Sequence, residues 1–238
     1  MPATGRRTAC AWRFLPEAGF CGRLSHKLPV DEPNPIRKRM SLISLEHSKA
    51  AYRVDFALYA GAVVTLAAVL LVAAPSERAW GLAGWVLVGL AGWTLIEYLL
   101  HRFLLHGLEP FRSWHARHHD RPQALIYAPT VVSAASITAS IFAPALYFGD
   151  VWAALALTLG VIAGYLAYAV THHATHHWRS DNAWLRGRKR HHALHHHAVL
   201  EPGAYGVTSA FWDHVFRSGT TLRRSGLTAI DYRADGIR

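Results

Sequence analysis

The sequence predicts an all-α integral membrane protein: four transmembrane helices in two hairpins, closed at one end by a cytoplasmic helical cap. Three observations carry that expectation. Four runs of 19 to 22 residues are almost free of charge. The lysines and arginines flank these runs and cluster on alternate sides of them. Fourteen of the 17 histidines fall in three short stretches just outside or at the ends of the runs. A hydrophobic content of 52% and a mean hydropathy of +0.12 suit a compact membrane protein better than a soluble domain.

Residues 1–40 read as a disordered basic tail. Eight Lys and Arg and five prolines sit there without sustained periodicity. Both cysteines, Cys10 and Cys21, lie in the tail, and no CxxC pair exists. Neither a disulfide framework nor a zinc ribbon is therefore expected. Residues 41–238 form the membrane domain.

The first span is expected at 56–74 and the second at 79–100, with only Pro75, Ser76, Glu77 and Arg78 between them. The third is expected at 130–149, with Pro144 as a kink. Asp150 marks a tight turn into the fourth, at 151–170. Each run suffices to cross a bilayer, which takes about 20 helical residues. A soluble all-helical core is the competing reading, but four such uncharged runs exceed what buried soluble helices carry.

The charges then set the topology. Of 25 Lys and Arg, ten precede the first span, four lie between spans two and three, and ten follow span four; Arg78 alone lies on the other side. Basic loops stay in the cytoplasm, so both termini and the cap, 101–129 and 171–220, are expected there. The net charge of +10 follows this membrane pattern, and no nucleic-acid partner is expected.

The same face receives the histidines. His115, His118 and His119 form HxxHH, and His192, His195 and His196 repeat it; His172 and His176 are four apart. Residues three and four apart share a helix face. His101 and His106 are five apart, which on an α-helix splays them by about 140°. Ten imidazoles exceed what one tetrahedral ion uses, so two metals are the economical reading. Imidazole suits zinc, iron, copper or nickel. His173, His177, His191 and His197 are off-pattern and expected to support the ligands or face solvent. Glu97, four residues before His101, is placed to accept a hydrogen bond from that ring. Asp213 is expected either to orient a ligand ring or to cap local structure. GAYGVTSAFWD (203–213), small residues followed by Phe211 and Trp212, is expected to form a loop and short helix packing near the site, or to anchor its aromatics at the membrane surface.

EYLLHRFLLH (97–106), HARHHDRP (115–122), YAVTHHATHH (168–177), and HHALHHH (191–197) with YGVTSAFWDHVF (205–216) resemble the histidine boxes of the fatty acid hydroxylase/sterol desaturase superfamily. These are membrane di-iron oxygenases, and the HxxxxH first box with GVTSAFWD resembles the fatty acid 2-hydroxylase branch. The resemblance covers roughly half the chain, from Glu97 to about Asp213. It implies a cytoplasmically capped four-span fold with two iron ions and O2 as co-substrate, and a lipid substrate hydroxylated at an unactivated C–H bond. It implies as ligands His101, His106, His115, His118, His119, His172, His176, His192, His195 and His196. No HPGG haem-binding segment is present, so electrons are expected from a separate protein. Zinc binds imidazole sites well and is expected to compete for this one in preparations. Carotenoid ring hydroxylation and lipid or sterol desaturation use the same kind of cluster. A membrane metal-binding or transport protein is the non-enzyme alternative; transporters hold their ions near the bilayer midplane, whereas these histidines lie beyond the spans.

Overall fold

Ser48 starts the first helix: its Oγ accepts the Ala51 N–H at 3.2 Å, so the helix α1 runs Lys49–Ala73. This and all that follows refer to a computed structural model that describes residues 46–197 and 203–220. The basic tail expected at 1–40 lies outside the described residues. Pro75 follows α1, and a single 3₁₀ turn, Ser76–Arg78, leads into α2, Ala79–Leu99. A π-helical segment, Leu100–Leu105, extends α2 without a break. After the short helix α3, Phe111–Asp120, the third span is α4, Thr130–Ile137, a π-helical turn, Thr138–Phe142, and α5, Ala143–Phe148. The irregularity expected at Pro144 is thus the π turn just before it, because Pro144 has no N–H for the Ser140 carbonyl.

Asp150 caps the fourth span, α6, Val151–His177, accepting the Trp152 and Ala153 N–H groups at 2.9 and 3.2 Å. Its two oxygens also take the Arg78 guanidinium at 3.0 and 2.7 Å. The single basic residue of this side therefore ties its two loops together. The cap continues with α7, Ala183–His197, and the short α8, Phe211–Val215. Among the described residues there is no strand, only an isolated bridge between Glu46 and Ile126.

Four helices are long and apolar enough to cross a membrane: Lys49–Ala73, Ser76–Leu105, Thr130–Phe148 and Val151–His177. The second and fourth outrun the expected 79–100 and 151–170, because His101 and His172–His177 continue the helices past the end of the apolar run. At 1.5 Å per residue α6 is about 40 Å long, against a hydrocarbon core of about 30 Å. Its last turns therefore project beyond the membrane and carry His172 and His176. Large apolar side chains such as Leu71, Val72, Trp80 and Phe148 are more than 80% exposed, as a lipid-facing surface requires.

The third and fourth spans pack on each other as sequence neighbours, whereas the first two meet chiefly through the fourth. α6 is the hub, with α2 its most extensive partner and α1 against it as well. Small residues make the α2–α6 approach possible. A Cβ on Gly160 would lie 2.1 Å from the Val86 carbonyl oxygen, and one on Gly89 2.3 Å from that of Leu157. Without water to drive helices together, such close backbone contact is what holds spans in lipid. Trp93 packs over Gly164 and joins Ile137 and Val161 in a buried cluster beside Tyr165 and Tyr168. All histidine-bearing elements therefore meet at one end of the bundle, where α2 and α6 finish and α1 and α4 begin.

Candidate metal centre

The π-helical segment resolves the spacing of the first histidine pair. On a regular helix His101 and His106 diverge, but π-helix bonding spans five residues and brings such a pair round to neighbouring positions. Their ring centroids are 5.3 Å apart.

All ten histidines expected from the sequence converge, in two groups of five. His101, His106, His115, His119 and His195 form one, and His118, His172, His176, His192 and His196 the other; within each, one ring nitrogen from every residue lies within 4.8 Å of the rest. The assembly has an internal logic. The HxxHH on α3 sends its i,i+4 pair, His115 and His119, to the first group and His118 to the second. The HxxHH on α7 does the reverse, with His192 and His196 in the second group and His195 in the first. His101 and His106 at the end of α2 complete the first group, and His172 and His176 at the end of α6 complete the second. The groups touch where His119 stacks on His196, with centroids 4.2 Å apart.

The facing atoms are Nε2 nitrogens. His101 meets His115 at 3.0 Å, His106 meets His195 at 3.1 Å and His119 meets His115 at 3.1 Å. In the second group His172 meets His118 at 3.0 Å, His192 meets His176 at 2.8 Å and His196 meets His192 at 3.0 Å. Metal–imidazole bonds are about 2.1 Å, so two ligands at right angles on one ion lie about 3.0 Å apart, and in a tetrahedron about 3.4 Å. Neighbouring donors in each group lie near the shorter of these spacings. The two groups are compatible with a metal site.

Backbone carbonyls fix two of the rings. His101 Nδ1 donates to the Tyr205 carbonyl at 2.5 Å, and His195 Nδ1 to that of Gly203 at 2.7 Å. With the proton on Nδ1, each Nε2 turns a lone pair into the group. Both carbonyls belong to one segment, 203–208, and two buried carboxylates hold it. Asp213 accepts the Tyr205 and Gly206 N–H groups at 2.9 and 2.8 Å, with Ser218 Oγ at 2.6 Å. Glu97 accepts the Val207 and Thr208 N–H groups at 2.6 and 2.9 Å, with Thr208 Oγ1 at 2.5 Å. Four consecutive N–H groups are thus taken up by two acids. The expected Glu97–His101 hydrogen bond is not formed. Glu97 reaches instead the segment whose carbonyl holds His101, a contact 110 residues away in sequence. Gly206 lets the segment turn back on itself beneath Asp213, since a Cβ there would lie 1.9 Å from the Ser209 carbonyl oxygen.

Burial keeps the rings neutral. Burial first and the His119 ring second pull His106 down to about 4; the same two causes, with His177, pull His118 to about 4. His115, His192, His195 and His196 are displaced further in the same direction, again by burial first and by neighbouring imidazoles second. Asp213 moves the other way: burial pushes its carboxyl up, but the His191, Ser218 and Gly206 donors outweigh it and leave it below the usual range. Neutral imidazoles beside an ionised carboxylate are the protonation states that metal binding needs.

A cavity of about 340 Å³ borders both groups and is lined from the spans as well as the cap. Its lining includes Phe56, Trp93, Leu104, Trp114, Ile137 and Tyr168, and it ends on His101 and His115 of one group and His118 and His172 of the other.

The sequence profile described as fatty acid hydroxylase matches residues 86–218, more than half of the chain. The chain belongs to the fatty acid hydroxylase family. Its relatives include the Arabidopsis thaliana dihydroceramide fatty acyl 2-hydroxylase FAH2, 33% identical over an alignment of 146 residues that covers 55% of this chain and 58% of that protein. The Schizosaccharomyces pombe ceramide very long chain fatty acid hydroxylase scs7 is 35% identical over 55% of this chain and 40% of its own length. The human fatty acid 2-hydroxylase is 30% identical over 58% and 40%. This chain therefore aligns with between two fifths and three fifths of these relatives. The solved structure of full-length scs7p, with only the hydroxylase domain visible, superposes with a TM-score of 0.61 at 27% identity, covering 71% of this chain and 66% of that one.

Within this fatty acid hydroxylase domain the off-pattern histidines sit around the two groups. His191 Nε2 lies 3.1 Å from Asp213. His173 Nδ1 lies 3.1 Å from the Tyr52 hydroxyl, and His177 stacks on His173. His197 is exposed. His214 turns back on the Ala210 carbonyl at 2.7 Å. Trp212 donates its Nε1 proton to Thr94 of α2 at 3.0 Å, so α8 is docked on the bundle, while Phe211 remains 60% exposed. The sequence placed the 203–213 segment near the site but gave Tyr205 and Gly203 no role of their own, because no local signal marks a carbonyl as the anchor of a distant ring.

Proposed function

We propose that this chain is a membrane oxygenase that hydroxylates a fatty acyl lipid near its polar end, with His101, His106, His115, His119 and His195 holding one iron ion and His118, His172, His176, His192 and His196 a second. The observation that carries the reading is the cavity: one largely apolar space, lined by residues of the spans, reaches histidines of both groups. The family membership and the named activities of the relatives support the acyl substrate. When bound, the iron pair supplies the reduction of O2 that C–H hydroxylation requires. The overall balance is R–H, O2, two electrons and two protons giving R–OH and water. A separate electron-transfer protein supplies the electrons.

The chain's own residues orient and exclude. Phe56, Trp93, Leu104 and Ile137 line a passage for an acyl chain and keep water from it. The 203–208 segment holds the His101 and His195 rings with Nε2 directed inward. The charge distribution, with Arg78 the single basic residue of the opposite loops, supports a cytoplasmic cap, within reach of an electron donor there.

The test is a lipid mass profile of cells expressing the chain under isotopically labelled oxygen, beside cells expressing His196→Ala and the exposed-residue control His197→Ala. One labelled oxygen in an acyl lipid, lost with His196→Ala and kept with His197→Ala, is the expected result. Loss of two hydrogens without label would assign desaturation, and label in a carotenoid would reassign the substrate. No oxidised lipid from folded, iron-loaded protein supplied with reductant would refute the oxygenase reading.

A further inference from the structure

Two carboxylates lie buried in the membrane-spanning helices and line the cavity, Glu97 and Asp55. Ionisable groups at such depth are costly and call for a partner. Both oxygens of Glu97 are engaged by the 207–208 backbone and hydroxyl. Asp55 is different. It is 5% exposed, and its Oδ1 accepts the Thr130 hydroxyl across the α1–α4 contact. Its Oδ2 has no donor among the described residues. Two neighbouring hydroxyls are already committed: Ser133 Oγ pairs with the Tyr59 hydroxyl at 2.7 Å, and Ser136 Oγ donates to the Val132 carbonyl at 2.8 Å. His47 lies near enough to act on Asp55 electrostatically, but its buried Nε2 makes no hydrogen bond to it.

The depth of Asp55 follows from the pairing of α1 with α6. Tyr52 meets His173, and Tyr59 meets Tyr165, in antiparallel register. Asp55 therefore lies level with Ala169, which also lines the cavity and contributes only a methyl group. Ala169 precedes His172 by three residues, about 4.5 Å along the helix. A group bonded to Asp55 thus sits about one helical turn from the histidines, within a few bonds of any carbon that they address.

We propose that Asp55 is a specificity-determining residue, whose free Oδ2 accepts a hydrogen bond from an N–H or O–H at the polar end of the bound lipid. The inference rests on the lipid-binding part of the function proposed above. It selects acyl lipids with a donor next to the acyl carbonyl, such as secondary amides. It disfavours esters, which have no donor there, and free fatty acids, whose carboxylate is repelled.

Binding tests it without turnover. Purified full-length protein in detergent is loaded with an equimolar mixture of N-methylhexadecanamide and N,N-dimethylhexadecanamide, which differ in one N–H, and the retained lipid is read by native mass spectrometry. A hydrogen bond to a charged acceptor is worth about tenfold or more in affinity, so the wild type should retain the secondary amide over the tertiary by about tenfold. Asp55→Asn keeps an oxygen for Thr130 but turns an amide donor to the cavity, and should bring the ratio to about one. Equal retention of the two amides by the wild type overturns the proposal whether or not the variant folds. So does an unchanged ratio in folded Asp55→Asn, the result a merely structural role would give. Labelled-oxygen incorporation by the same wild-type sample is scored separately. Its absence counts against the oxygenase reading, while the amide ratio still decides the role of Asp55.

Discussion

Gly160→Ala tests whether the α2–α6 crossing sets the geometry of both histidine groups. The new Cβ would lie 2.1 Å from the Val86 carbonyl oxygen, 2.8 Å from the Leu90 nitrogen and 2.9 Å from the Gly89 Cα. All three are backbone atoms, so no side chain can swing aside. Relief to ordinary contact requires the helices to part by about 1 Å. Overpacking of this kind costs about 1–3 kcal/mol. Gly92→Ala is the internal reference: the same substitution on α2, where a Cβ meets nothing within 4 Å. Both variants gain about 1 kcal/mol of helix propensity, so the difference between them isolates the clash. At about 2–4 °C per kcal/mol for a chain of this size, Gly160→Ala should melt about 2–12 °C below Gly92→Ala in the same detergent. Because α2 ends in His101 and α6 in His172, a shift of about 1 Å also separates the two groups, and misplacement on that scale costs about a hundredfold in rate. Metal content and labelled-oxygen incorporation should therefore fall in Gly160→Ala and not in Gly92→Ala. Equal melting temperatures and equal metal content would refute the crossing as the determinant.

Further outcomes follow from the site. Glu97→Gln leaves at least one of the Val207 N–H, Thr208 N–H and Thr208 Oγ1 donors unpaired and loosens the carbonyl that orients His101; losses of such supporting contacts cost about 10- to 100-fold in metal affinity, read by competition with a chelator. Metal-free protein should lose stability on acidification. His106 and His118 sit at about 4 in the fold against about 6.5 unfolded, so the unfolded chain binds more protons between those values. Their contribution is intact above about 6.5 and is lost progressively as pH falls towards 4; a flat melting temperature from pH 7.5 to 5 would contradict the neutral cluster. Chelation should lower the melting temperature, since an ion at a thousand times its Kd adds about 4 kcal/mol to the fold. Asp150→Asn keeps an N-cap for α6 but weakens the pairing with Arg78, so it should melt higher than Asp150→Ala; equal values would show that the cap contributes nothing.

Composition and periodicity alone determined the helical class, the four spans and the ten histidines, because each rests on local pattern: apolar run length, the rows of 3 and 4 on a helix, and charge at the ends of runs. HxxxxH could not be placed that way, since its convergence needs a π-helical segment that a 3.6-residue period does not encode. Nor could the division of each HxxHH between two groups be read locally, for it depends on α3 and α7 facing one another across the ends of α2 and α6. Tertiary structure alone decided that α6 is the hub, that Gly89 and Gly160 are its contact, and that Glu97 and Asp213 act on the 203–208 segment. The physical reason is the same throughout: a buried carboxylate takes the nearest unpaired N–H in space, and for Glu97 that donor lies 110 residues along the chain.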